Sequence, residues 1–168
     1  MLGRVSLSFQ DQLAFGEEGE KSIAEMLINR GVSILPLYQF KNHDQTPFLL
    51  TREEKLTMPD LTCWKNGDAY FVECKRKNKW VHFNGQMETG LNLKHFKEYE
   101  KIKALTNLDV WLFFLHEHDH PGIYFEEIHA IKPLARVWDG TVKGKRIEKP
   151  LILFPRDALK RFNLEIAA

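Results

Sequence analysis

Two runs rich in aromatic and β-branched residues, Leu61 to Trp64 and Ala69 to Cys74, are separated by the dipeptide Asn66-Gly67. Both central residues of a type I′ turn need positive φ, which Asn and Gly tolerate, so the stretch predicts a tight two-residue β-hairpin. Such a turn sets a register. Lys65 faces Asp68, and the same ladder carried down the strands puts Asp60 opposite Glu73. Opposed residues share a face, with Cβ atoms about 4.5–5.5 Å apart. Lys75, two residues beyond Glu73, projects to that face as well. Two acids and a lysine therefore converge on one side of one hairpin.

Like charges directly opposed on a sheet destabilise it, and neighbouring carboxylates raise each other's pKa. A divalent cation between them removes the conflict. Mg²⁺ takes oxygen ligands, keeps several waters and is commonly held by one or two carboxylates plus a substrate phosphate. The competing reading is an exposed cluster neutralised by Lys75. Tyr70, Phe71 and Val72 make both faces of the strand partly apolar, which favours a cleft. Burial would then depress the pKa of Lys75 and suit it to positioning hydroxide.

The 168 residues are enough for one domain with a sizeable core, and a content of 43% hydrophobic and 28% charged residues is that of a globular chain. No apolar run approaches the ~20 residues of a membrane span. The opening MLGRVSLSFQDQ lacks a signal peptide's apolar core, so the expectation is a cytoplasmic, non-membrane protein. Cys63 opposes Tyr70 rather than Cys74, so the two cysteines are expected as buried thiols. A net charge of +1 does not single out nucleic acid, but its distribution is informative. Lys75, Arg76, Lys77 and Lys79 follow the hairpin. Lys94, Lys97, Lys101 and Lys103 lie on the next helix, and Lys143, Lys145, Arg146 and Lys149 form a late cluster. Acids concentrate elsewhere, at Glu17 to Glu25 and at Glu126 and Glu127. A basic surface beside an acidic metal pocket suits a phosphate backbone. Taken singly, each cluster reads equally well as a solvated face.

Along the chain, residues 16–30 predict a helix closed by Gly31, with Ile23, Ala24 and Leu27 as its inward stripe. Glu20 sits on that stripe, where it either contributes to a metal pocket or snorkels near the helix N-terminus. Val32 to Phe40 predicts a first strand, with Pro36 at an edge or bulge. Residues 41–57 read as a long loop that brings Lys41, His43, Arg52 or Lys55 to a substrate, or as disorder. Trp80 to Phe83 reads as a short third strand and Gly85 to Gly90 as a turn region. Asn92 caps a helix to about Leu105 that turns Phe96, Tyr99 and Ile102 inward. Leu108 to Leu115 predicts a strand covered on both faces, reached by a crossover. Gly122 to Ile131 and Leu151 to Phe154 predict further strands, and Pro155 to Phe162 a closing helix. His116, His118 and His120 match no strong zinc spacing, so HEHDHPG reads as a polar exit from the buried strand, or as part of the active-site rim.

The combination of Pro59-Asp60 with Glu73-Cys74-Lys75, preceded by Glu20 on a first helix, resembles the PD-(D/E)XK nuclease superfamily. The order of elements over residues 16–115 is similar to that superfamily's αβββαβ core. The resemblance implies an α/β, restriction-endonuclease-like fold: a mixed central sheet flanked by helices, in a single domain of residues 1–168 with a C-terminal elaboration over 120–168. Within the superfamily the layout is similar to archaeal Holliday-junction resolvases and phage-type nucleases. It implies a metal-dependent DNA endonuclease, structure- or site-specific, with an exonuclease or a non-catalytic nucleic-acid-binding module as alternatives. Carried over by motif, Asp60, Glu73 and the Cys74 carbonyl would ligate Mg²⁺, for which Mn²⁺ substitutes. Lys75 would orient or help deprotonate the attacking water, and Glu20 would hold the outer shell or a second metal. His95 and Gln86 are the candidates for an accessory residue, and Arg76, Lys77, Lys79, Lys94 and Lys97 for DNA contacts. A homodimer is the expected assembly, since cutting two strands commonly uses two copies of one site.

Overall fold

Gly31 adopts a φ of 78° and closes the first helix, α1 (Glu18–Asn29), which buries Ile23, Ala24 and Leu27 as its stripe predicts. The structure is a computed structural model that describes residues 18–37, 47–142 and 144–162. After α1 the chain forms β1 (Ser33–Pro36), an edge strand, where the missing N–H of Pro36 costs least. Residues 41–57 are not one long loop. Their described part holds a small hairpin, β2 (Phe48–Leu50) and β3 (Lys55–Thr57). The Thr51 hydroxyl accepts the N–H groups of Glu53 and Glu54 and closes its turn, while Leu56 is fully buried in the core. Three-residue strands are too short to show a period in sequence.

The Asn66-Gly67 turn has φ of 54° and 90° and joins β4 (Leu61–Lys65) to β5 (Asp68–Lys77), with a ladder from Lys65↔Asp68 to Leu61↔Val72. A second Asn-Gly, at Asn84-Gly85, repeats the device with φ of 47° and 76°. It joins β6 (Val81–Phe83) to β7 (Gln86–Asn92), so most of the expected turn region is strand. Asn92 accepts the Lys94 N–H and caps α2 (Leu93–Thr106), and β8 (Asp109–His116) then returns parallel to β5. Leu112 and Phe114 are buried on one face of β8, and Phe113 and Leu115 on the other, which accounts for its unbroken apolar run.

The strand expected over 122–131 divides. β9 (Gly122–Glu127) ends where the Glu127 carboxylate accepts the N–H groups of His129 and Ala130 and starts the single turn α3 (Ile128–Ile131). Three short strands follow, β10 (Arg136–Trp138), β11 (Thr141–Val142) and β12 (Lys145–Arg146), and then β13 (Leu151–Pro155). The expected closing helix is instead a 3₁₀ turn at Arg156–Ala158 leading into β14 (Lys160–Phe162). Pairing with β9 wins there because it covers an open edge and stacks Phe162 on Phe125, 4.4 Å between ring centroids.

The central sheet is mixed, in the order β1-β4-β5-β8-β9-β14, with β5 and β8 its parallel pair. A second sheet, β10-β13-β7-β6, lies with α2 over one face, and α1 covers the other. The elements α1, β1, β4, β5, α2 and β8 make the αβββαβ core, and the C-terminal elaboration extends the same sheet through β9 and β14. Gly90 is where the second sheet admits no side chain. A Cβ there would lie 1.9 Å from the Ile152 carbonyl oxygen on β13. Gly90→Ala is expected to destabilise the protein by about 2–3 kcal/mol, seen as a lower denaturant midpoint at unchanged slope. An unchanged midpoint contradicts this packing.

Candidate active site

The strand β5 outruns its partner. The last β4–β5 rung is Leu61↔Val72, and β5 continues to Lys77. Asp60 lies one residue before β4, with its carbonyl tied to the Leu37 N–H at 2.8 Å. Its Oδ2 accepts the Cys74 N–H at 2.9 Å, replacing the rung that β4 no longer supplies. This bond carries Asp60 to Glu73, and the two carboxylates lie within hydrogen-bond reach of each other. In a strand the N–H and C=O of one residue point to the same edge, so the Cys74 carbonyl opens on the Asp60 side too.

Both acids are buried, Asp60 to 9% and Glu73 to 2% exposure. Burial, and then the charge of Glu73, pushes Asp60 from 3.8 up to about 8, against the pull of Lys75 and the Cys74 N–H. Lys75 Nζ stands 2.5 Å from Glu73 Oε1. Burial draws the Lys75 pKa down, but the charges of Glu73 and Asp60 outweigh it and the net shift is upward. The expectation of a lysine with a depressed pKa is therefore corrected. Beside Glu73 and Asp60 the ammonium form of Lys75 is favoured.

Glu73 Oε2 is buried and has no hydrogen-bond partner among the described residues. An unpaired buried group of this kind costs about 1–3 kcal/mol, more when charged. The orphaned oxygen, the Asp60 carboxylate beside it and a strand carbonyl form a hard-oxygen donor set, which fits a divalent cation. Among the described residues no three His, Cys, Asp or Glu side chains are disposed around one metal ion. Asp60 and Glu73 thus stand as a pair, and Glu20 does not form a three-acid cluster with them. It comes from α1 on the opposite face of β5, where Gly19 packs so tightly on Arg76 that a Cβ would lie 2.6 Å from the Arg76 Cβ. The buried Cys74 thiol registers all three acids. Burial raises its pKa first, followed by the charges of Asp60, Glu73 and Glu20.

His95, in the first turn of α2, is at the site. Its pKa is lowered by burial, then by Lys75, with Lys94 and Lys149 adding and Glu98 opposing. Lys149 therefore joins the basic rim, whereas Lys145 and Arg146 are exposed on β12 and Lys143 lies outside the described residues. Gln86 is exposed at the tip of the β6–β7 hairpin and is not part of the constellation. Arg76 points to the α1 face and pairs with Glu117 at 2.7 Å. Lys79, Lys94 and Lys97 are exposed, and Lys77 is half-buried. Arg52 and Lys55 are exposed on the β2–β3 hairpin, while Lys41 and His43 lie outside the described residues.

Two further groups were not anticipated. Tyr99 lies beside Glu73, and its phenol is raised by burial and by that charge. His116 is not a polar exit. It is fully buried, stacked on Trp80 with centroids 3.6 Å apart, its Nε2 3.0 Å from Thr89 Oγ1. Strand parity could have found it, since residue 116 falls on the same face of β8 as Leu112 and Phe114. His118 and His120 are exposed.

No protein-family model matches the chain, and no curated protein sequence matches it. Among solved structures it is similar to Hjc, a Holliday junction resolvase from the archaeal hyperthermophile Archaeoglobus fulgidus. The TM-score is 0.51 at 10% identity, over 83% of this chain and 88% of that one. D212, a nuclease from a fusselovirus, matches with a TM-score of 0.43 and 13% identity, over 96% of this chain and 89% of that one. The chain has the restriction-endonuclease-like fold, a mixed central sheet flanked by helices. That is the fold of the PD-(D/E)XK nucleases.

Proposed function

We propose that this protein is a divalent-metal-dependent nuclease that hydrolyses phosphodiester bonds in DNA. The observation that carries the reading is the fork where β5 outruns β4. There, two buried carboxylates meet, one with an orphaned oxygen, beside an ammonium. Asp60, Glu73 and the Cys74 carbonyl would hold the cation, Mg²⁺ or Mn²⁺. When bound, it supplies Lewis-acid neutralisation of the phosphate charge. The remaining tasks fall to the protein. Lys75, fixed by Glu73 and kept protonated, donates to a non-bridging phosphate oxygen and orients the attacking water. Lys94 and Lys149, around His95, draw in the polyanionic strand. The fold's likeness to a Holliday junction resolvase makes branched DNA the first substrate to test, with a homodimer as the assembly that would cut two strands.

Lys75→Met separates binding from turnover. It is expected to lose about a hundredfold or more in kcat, the scale of one preorganised charge on a developing anion. DNA affinity measured in Ca²⁺ should stay within a few fold of wild type. Single-turnover kinetics check this, and wild-type turnover removes Lys75 from the chemistry.

A further inference from the structure

Lys77 lies on the same face of β5 as Lys75, two residues further along. The two side chains leave the strand about 6.6 Å apart. Three other cations of this region each have an acid. Lys75 is paired with Glu73, Arg76 with Glu117 and Arg136 with Glu88. Lys77 has no ion-pair partner among the described residues, although it is half-buried. Its partner across the parallel ladder is His116. That ring lies flat on Trp80 at an interplanar angle of 6°, and the Trp80 indole N–H donates to the Asp119 carbonyl at 2.6 Å. His116 presents a buried Nδ1 with no partner among the described residues, and no counter-charge. Burial and then the like charge of Lys75 pull Lys77 down to about 8. This amine stands beside a cationic neighbour and has no ion-paired acid among the described residues; Glu73, whose charge favours its ammonium, is already paired with Lys75. Such a group is stabilised by an anion that arrives from outside.

We infer that Lys77 is the receptor for a second backbone phosphate, the neighbour of the one attacked at Asp60, Glu73 and Lys75, and that it fixes how the strand lies across the fork. The inference rests on the nuclease reading and deepens it. The exposed lysines of the rim attract the strand over a distance and are screened by salt. Lys77 makes a short contact in a partly desolvated setting and therefore acts on one phosphate. It is a positioning residue, felt in KM more than in kcat.

The test uses a DNA that the wild-type protein cleaves, with single neutral methylphosphonate linkages placed in turn at each phosphate flanking the cut. In the wild type one flanking position is expected to raise KM about tenfold and leave kcat within about twofold. Lys77→Met should show that raised KM on unmodified DNA and no further penalty at that position. Lys77→Arg should restore wild-type behaviour. The slope of log Kd against log salt should fall by about one for Lys77→Met. If Lys77→Met does not fold, Lys77→Gln takes its place in the same comparison. A methylphosphonate penalty equal in wild type and variant at every position, or a variant with wild-type KM, overturns the assignment and leaves the nuclease reading intact. A wild-type protein that cleaves no DNA overturns both.

Discussion

Asp60→Asn and Glu73→Gln are each expected to lose at least about a thousandfold in Mg²⁺-dependent DNA cleavage while remaining folded. A cation at a phosphoryl oxygen is worth several kcal/mol of transition-state charge stabilisation, and each 1.36 kcal/mol is tenfold in rate. Beside these two carboxylates the site offers a neutral strand carbonyl but no third His, Cys, Asp or Glu ligand among the described residues, so removing one carboxylate removes most of that stabilisation. The fold survives for a local reason. In Asp60→Asn the new amide keeps an oxygen to accept the Cys74 N–H, so the fork closes as before. Cleavage assays with thermal melts decide the matter. Near wild-type cleavage by either variant ends the assignment, and loss of both activity and folding shows only that the fork is structural.

Protein stability in EDTA is expected to fall by about 1 kcal/mol between pH 6.5 and pH 8, the slope of 1.36 kcal/mol per pH unit easing as Asp60 titrates. The sign follows from Asp60. Its folded pKa is raised from 3.8 to about 8 by burial and by Glu73, so between those values the folded state holds a proton that the unfolded state has released. Stability therefore drops as pH rises through that window. His116 slopes the other way. Burial, with Lys77 second, lowers it from 6.5 to about 4, so its contribution grows between pH 4 and 6.5 and is constant above. Lys77, lowered to about 8 by burial and Lys75, begins to add stability from about pH 7 and offsets part of the Asp60 fall. Between pH 6.5 and 8 the Asp60 effect is the larger and sets the sign. Saturating Mg²⁺ should flatten it, because a cation between the carboxylates replaces the proton. Asp60→Asn should flatten it without metal. Urea titrations at four pH values, with EDTA or Mg²⁺, read the effect. A fall that Asp60→Asn leaves in place would mean that another group causes it.

The hairpin was legible because Asn-Gly leaves few alternatives, and from it followed the strand parity that puts Glu73 and Lys75 on one face. The same signal at Asn84-Gly85 is less legible, because β6 has only three residues and β7, QMETGLN, lacks an aromatic or apolar run. The β2–β3 hairpin escaped for a similar reason, since its one buried anchor, Leu56, shows no periodicity in three residues. The final strand read as a helix because residues 155–162 carry no alternation, and only the open edge of β9 decides their fate. At the site, composition around Lys75 suggested a depressed pKa. The outcome depends instead on the 2.5 Å approach to Glu73, which no spacing encodes. Parity and periodicity turn His116 and Tyr99 inward, but their neighbours, Trp80 for one and Glu73 for the other, come from tertiary packing.

One cleavage panel decides whether the fork at Asp60 and Glu73 is a metal-dependent nuclease centre. The purified protein is incubated with four-way junction, flapped, nicked, linear duplex and single-stranded DNA, and with RNA, in Mg²⁺, in Mn²⁺ and in EDTA. The expected result is cleavage of at least one DNA in Mg²⁺ or Mn²⁺ and none in EDTA. No cleavage of any DNA with either metal, or cleavage that persists in EDTA, would contradict the assignment.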